Sequence, residues 1–222
     1  MSTLTLLRHG QAMFGSADYD RLTPYGEKQA RACSEFWRLR EVRFTRIIVG
    51  PCKRHMDTVR LAVVGLDAPQ FEHEPLLNEF ADATPVIKAA EARTGADLSD
   101  TSTLSTAEIA RIYGEQIRLW SDHDVPMEGV ESINAFRQRS ARWMHKMTTS
   151  GGSGQRILVS TSGGVICAVI SEILHLPNSV MGDMMWNIEN CSLTGLIWSQ
   201  KGLSMRYFNQ TAHLPRALTS AR

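Results

Sequence analysis

Apolar residues fall along this chain in two patterns: short runs closed by glycine or polar residues, and longer stretches with helical spacing. The first run, T-L-T-L-L at residues 3–7, stops at Arg8-His9-Gly10 and predicts a buried strand. After a polar loop at residues 11–20, Leu22-Thr23-Pro24 opens a helix with Thr23 as N-cap and Pro24 in the first turn. Ala30, Cys33, Phe36 and Trp37 follow as its core stripe. Residues 46–49 predict a second buried strand, closed by Gly50-Pro51, and residues 52–64 a helix with Arg54 in its first turn. A shorter strand is expected at 70–74.

From 85 to 122 the pattern turns helical without clear strands, with a polar loop at 97–106. A further helix is expected at 131–147, capped near Ser132. Gly151-Gly152-Ser153-Gly154 precedes a strand instead of following one, so it is no dinucleotide fingerprint. Residues 156–160 predict a strongly apolar strand, and Ser162-Gly163-Gly164 leads into a helix at 165–174. Residues 192–199 and 203–208 alternate around Gln200-Lys201-Gly202 as an antiparallel edge hairpin. This order predicts one α/β domain over 1–222: a three-layer α/β/α sandwich, its mostly parallel sheet covered by helices on both faces. The helical insertion at about 85–122 is expected to cover the site.

Composition narrows the function. With 222 residues, 43% of them hydrophobic, the chain can bury a full core. A formal net charge of +1 gives no global field to recruit nucleic acid or an anionic membrane, so any anion must be bound by local groups. The N-terminus lacks a basic and apolar leader pattern, and no segment approaches the ~18 apolar residues of a membrane span; the expectation is a cytoplasmic protein. The four cysteines are scattered and read as reduced thiols.

In an open α/β sheet, ligands bind at the carboxyl ends of the strands. Three such ends deliver Arg8 with His9, Arg54, and Ser162 with the backbone donors of a glycine-rich helix start. Two guanidiniums and a helix N-terminus suit a phosphate. The histidines His55, His73, His123, His145, His175 and His213 lack metal-ligand spacing, so neither a metal site nor another cofactor is expected.

These residues resemble the histidine phosphatase superfamily, the branched group that contains phosphoglycerate mutases and many small phosphatases. The resemblance rests on Leu7-Arg8-His9-Gly10-Gln11, Leu22-Thr23-x-x-Gly26-x-x-Gln29-Ala30, Pro51-x-x-Arg54-x-x-x-Thr58 and Leu77-x-Glu79. It continues with Gly129-x-Glu131-Ser132 and Ser162-Gly163-Gly164-Val165-Ile166. It implies phosphoryl transfer from a small phosphomonoester without a metal, as phosphatase or mutase. His9 would be the nucleophile that forms a phosphohistidine, Arg8 and Arg54 the holders of the phosphoryl group, and Glu79 the general acid. Ser162, Gly163 and Gln11 would contribute to phosphate binding.

Two departures stand out. Ser162 occupies the position where the family has a second histidine, and Gly15 and Ser16 lie where it has a small polar asparagine. One transition-state donor is worth ~10²–10³ in rate, which opens an alternative: a protein that binds phosphorylated ligands with weak or no catalysis. One of the other histidines, folded back into the pocket, would restore an imidazole, and the sequence does not single it out. A minor alternative is a serine esterase built on Ser162 with Asp183 and His213, which leaves Arg8, His9 and Arg54 unexplained. The edge hairpin offers a surface on which two copies can pair as a homodimer.

Overall fold

The computed structural model describes residues 1–13, 20–99, 103–150, 152–199 and 202–220. In chain order the elements begin with β1 (Ser2–Arg8), α1 (Pro24–Leu39), β2 (Arg46–Val49), α2 (Lys53–Ala62) and β3 (Phe71–His73). A 3-10 turn at Pro75–Leu77 leads to α3 (Ala83–Thr94), α4 (Thr106–His123) and α5 (Ile133–Ser150). Then come β4 (Arg156–Thr161), α6 (Gly163–Ile173), α7 (Asn178–Asn187), β5 (Leu193–Ser199), β6 (Gly202–Gln210) and a second 3-10 turn at Arg216–Leu218.

The six strands form one sheet in the order β3-β2-β4-β1-β5-β6. The first four pair in parallel, while β5 and β6 run antiparallel at one side, which is the expected edge hairpin. Its turn at 200–201 lies outside the described residues.

Why the central strands read as unbroken apolar runs is visible in how alternate residues divide. Leu4, Leu6, Ile48, Ile157 and Val159 belong to the core on one face; Leu7, Ile47, Val49 and Leu158 belong to the core on the other. A strand buried on both sides has no solvent face to carry polar residues. The second face is covered by α1 and α2 through Ala30, Cys33, Trp37, Val59 and Ala62. The first is covered by α6, with Val165, Ile166 and Val169, and by the aromatic side chains of Trp120, Phe136 and Trp143. Truncating a side chain such as Phe136 to alanine would cost about 3–5 kcal/mol.

The sequence placed β2 at its observed bounds and α1 with its cap: Thr23 accepts the N–H of Gly26 at 3.0 Å. The polar break after α3 is a real helix end, where Gly95 takes a φ of 72°. The sequence order omitted α7. Asn-Ser at its start, a central glycine and no amphipathic stripe give it little local signal. It forms through close approach to α4: a Cβ on Gly182 would lie 2.3 Å from Ser121 Oγ.

Candidate active site

The β1/β4 register sets Arg8 beside Thr161, and His9 continues it by donating its N–H to the Thr161 carbonyl at 3.0 Å. Beyond it the chain is pinned by close packing. A Cβ on Gly10 would fall 2.6 Å from the Gly26 carbonyl oxygen, and one on Gly26 would fall 2.2 Å from that of Gln11. Gly10 N–H also donates to Thr58 Oγ1 at 3.0 Å, which ties the end of β1 to α2.

Gln11 N–H donates to Gln29 Oε1 at 2.9 Å, and Gln11 Oε1 accepts from the Thr23 hydroxyl at 3.0 Å. Gln29 in turn donates to the Leu218 carbonyl at 2.9 Å. The Leu-Thr-x-x-Gly-x-x-Gln motif is therefore a brace for the loop that follows His9.

His9 is buried, and its Nδ1 lies 2.8 Å from the Gly10 carbonyl. A carbonyl only accepts, so Nδ1 carries the proton and the lone pair is left on Nε2. Burial, then Arg54, Arg8 and His55, hold its pKa well below 6.5 and keep the ring neutral. A neutral imidazole among guanidiniums is the state a nitrogen nucleophile needs.

Arg54 is 2% exposed and donates to Asp20 Oδ1 at 2.9 Å. Asp20 also accepts the backbone N–H groups of Lys53 at 2.6 Å and Arg54 at 3.1 Å, so one carboxylate caps α2 and orients its arginine. Asp82 lies 3.8 Å from the same guanidinium. Arg8 reaches the Ile188 carbonyl and passes close over Gly163, where a Cβ would lie 3.4 Å from Arg8 Nε.

Glu79, half-buried, sits at the start of α6, where Oε2 accepts Gly164 N–H at 3.1 Å and Oε1 accepts Phe80 N–H at 3.1 Å. A Cβ on Gly164 would be 2.2 Å from Glu79 Oε1, so only glycine permits the contact. Burial raises the Glu79 pKa against the opposing pull of those two N–H groups and of Arg54 and Arg8. The sequence assigned the donors of this helix start to phosphate; the Gly164 donor is taken by the carboxyl of Glu79.

Ser162 is 1% exposed, and its hydroxyl lies 2.7 Å from Nε2 of His55. The His55 ring is fully buried, 5.7 Å from that of His9 between centroids. His55 is thus the histidine that stands next to Ser162. The sequence did not single it out among the other histidines.

Asp183 and His213 do not join Ser162. Asp183 faces Arg118 at 3.6 Å on the surface, and His213 Nε2 lies 3.0 Å from the Cys191 carbonyl and 3.3 Å from Cys33 Sγ. The esterase constellation is not formed, because the imidazole beside Ser162 comes from α2. Gly15 and Ser16 lie outside the described residues. Among the described residues, no helix is long and apolar enough to cross a membrane.

Several solved structures share this fold. A phosphoserine phosphatase from Entamoeba histolytica in complex with 3-phosphoglyceric acid is 18% identical, with a TM-score of 0.68, covering 97% of this chain and 100% of its own. The alpha-ribazole phosphatase from Shigella flexneri is 21% identical, with a TM-score of 0.65 over 94% of this chain and 96% of its own. A mycobacterial glucosyl-3-phosphoglycerate phosphatase in complex with inorganic phosphate is 22% identical, with a TM-score of 0.65 over 97% of this chain and 100% of its own. No curated protein matches the chain. The family model that does match runs from residue 4 to residue 211, through every strand of the sheet, and on that match the chain belongs to the histidine phosphatase superfamily, branch 1.

Proposed function

We propose that this protein is a phosphatase that hydrolyses small phosphomonoesters through a phosphohistidine on His9. The observation that carries this reading is the His9 ring: neutral, with its proton held on Nδ1 by Gly10 and with Arg8 and Arg54 close enough to depress its pKa. The two guanidiniums would hold the equatorial oxygens of the phosphoryl group and balance their charge.

His9 Nε2 attacks phosphorus, and the bond to the leaving oxygen breaks as Glu79 gives that oxygen its proton. Glu79, now a carboxylate, takes a proton from the attacking water. The P–N bond breaks, and phosphate leaves with Glu79 reprotonated. The burial that raises the Glu79 pKa supports its start as an acid. The names of the fold relatives, phosphatases of phosphoserine, alpha-ribazole phosphate and glucosyl-3-phosphoglycerate, support a small phosphorylated substrate.

Incubation with a labelled phosphomonoester and quenching at high pH, where phosphohistidine survives, tests the reading. Label on His9, and its loss with turnover in His9→Ala, is the expected result. Label on a serine, or full turnover in His9→Ala, would overturn it. Phosphate binding without turnover of any phosphomonoester would leave the binding-only alternative.

A further inference from the structure

Ser162 opens α6, yet its side chain makes no capping bond to that helix among the described residues. A serine hydroxyl at this position ordinarily accepts a backbone N–H of the first turn. Here the hydroxyl is turned to His55 Nε2 at 2.7 Å instead. The imidazole sits in a space shaped for it: a Cβ on Gly50 would come within 2.4 Å of His55 Nδ1. The backbone of His55 is fixed as well, since Ser160 Oγ donates to the His55 carbonyl at 2.8 Å and joins β4 to α2.

We propose that Ser162 and His55 work as one unit, in which the Ser162 hydroxyl meets the phosphoryl group and His55, behind it, positions that hydroxyl by hydrogen bonding. This rests on the reading of His9 as the phosphoryl acceptor. His55 is a positioning residue, acting through the serine.

The direction of the hydrogen bond matters. With its proton on Nε2, His55 donates to Ser162 Oγ and leaves the serine O–H to donate to a phosphoryl oxygen. With its proton on Nδ1, His55 accepts the serine O–H as a hydrogen bond, and Ser162 turns lone pairs toward the anion, which is repulsive. An anion between Arg8 and Arg54 therefore selects the first arrangement. Both groups end the cycle with the protons they began with, so the pair supplies a directed donor and consumes nothing. Simple insertion of histidine at 162 should fail, because His55 already occupies the neighbouring space.

The test has two arms. Nitrogen NMR of the histidine rings in the wild-type protein, with and without vanadate, reads the tautomer directly. We expect vanadate to place the His55 proton on Nε2; an unchanged ring, or a proton on Nδ1 in the complex, would overturn the proposal. This arm needs no turnover, so it decides the pair even if His9 proves not to be the acceptor.

The second arm is kinetic. Ser162→Ala and His55→Gln should each lower kcat by up to ~10²–10³ with little change in KM, and the double variant should be no worse than the worse single. Ser162→His should be slow, and Ser162→His with His55→Ala should recover part of the rate. Additive losses, or no recovery in folded protein, would overturn the coupling; failure of the reading as a whole would show instead as full turnover in His9→Ala.

Discussion

Glu79 Oε2 accepts the N–H of Gly164 at 3.1 Å, which sets the carboxyl group over the first turn of α6. A helix start favours the carboxylate form, yet burial outweighs it and raises the pKa. The consequence is a carboxyl held in place by two backbone N–H groups, those of Gly164 and Phe80, with its protonated form favoured by burial.

Replacing that carboxyl should therefore affect leaving groups unequally. Glu79→Gln is expected to slow alkyl phosphates by ~10²–10⁴ and nitrophenyl phosphate far less, since nitrophenolate leaves without a proton. Gly164→Ala, whose Cβ would fall 2.2 Å from Glu79 Oε1, should follow the same pattern by displacing the carboxyl. Rates across a series of leaving groups check this; equal losses would remove Glu79 from the role.

Asp20 offers a substitution that should separate binding from catalysis. Its carboxylate neutralises part of the Arg54 charge and aims the guanidinium. In Asp20→Asn the one amide oxygen can still accept from Arg54, while the charge and the acceptor for the Lys53 N–H are lost. We expect phosphate to bind at least as tightly and kcat to fall by about 10–10²-fold, as expected for a misplaced holding group. Phosphate titration alongside steady-state kinetics distinguishes the two effects.

The buried histidines make stability depend on pH. Folded His9 resists protonation well below 6.5 and folded His55 down to about 3, whereas unfolded imidazole takes up a proton near 6.5. As pH falls below about 6.5 the unfolded chain gains protons that the folded chain does not, so stability falls by up to ~1.4 kcal/mol per pH unit for each histidine. Glu79 acts oppositely: its raised pKa lets the folded chain bind a proton first, a gain complete below 4.5. Urea unfolding between pH 7 and pH 5 should show the loss, with a smaller slope in His55→Gln.

Much of this arrangement was legible because it is local. Two-sided burial marks β1, β2 and β4 as apolar runs, and their ends place Arg8, His9, Arg54 and Ser162 together. What escaped depends on contacts between distant elements. Nothing near Asp20 says that it caps α2, thirty-odd residues on, and nothing near His55 says that its ring meets Ser162 across the sheet. A lone histidine or aspartate carries the same local pattern whether it is solvated or bound; α7 likewise owes its helix to packing on α4.

The motif at Glu131 braces, from far along the chain, the segment that leads to Glu79. Glu131 pairs with Arg139, which donates to the carbonyls of Leu76 at 2.5 Å and Asn78 at 3.0 Å, the segment just before Glu79. The guanidinium also lies 5.0 Å from the centre of the Phe136 ring, so charge, fork geometry and stacking all fix it. Lysine keeps the charge but cannot hold two carbonyls and a carboxylate in one plane. Arg139→Lys should therefore loosen the 76–78 segment and misplace the acid, lowering kcat on alkyl phosphates by about 10–10²-fold while leaving the inhibition constant for phosphate nearly unchanged. Glu131→Gln should move in the same direction by less, since Arg139 keeps its two carbonyls. Loss of phosphate affinity equal to the loss of kcat in Arg139→Lys would mean that the brace supports the whole pocket and has no particular hold on Glu79.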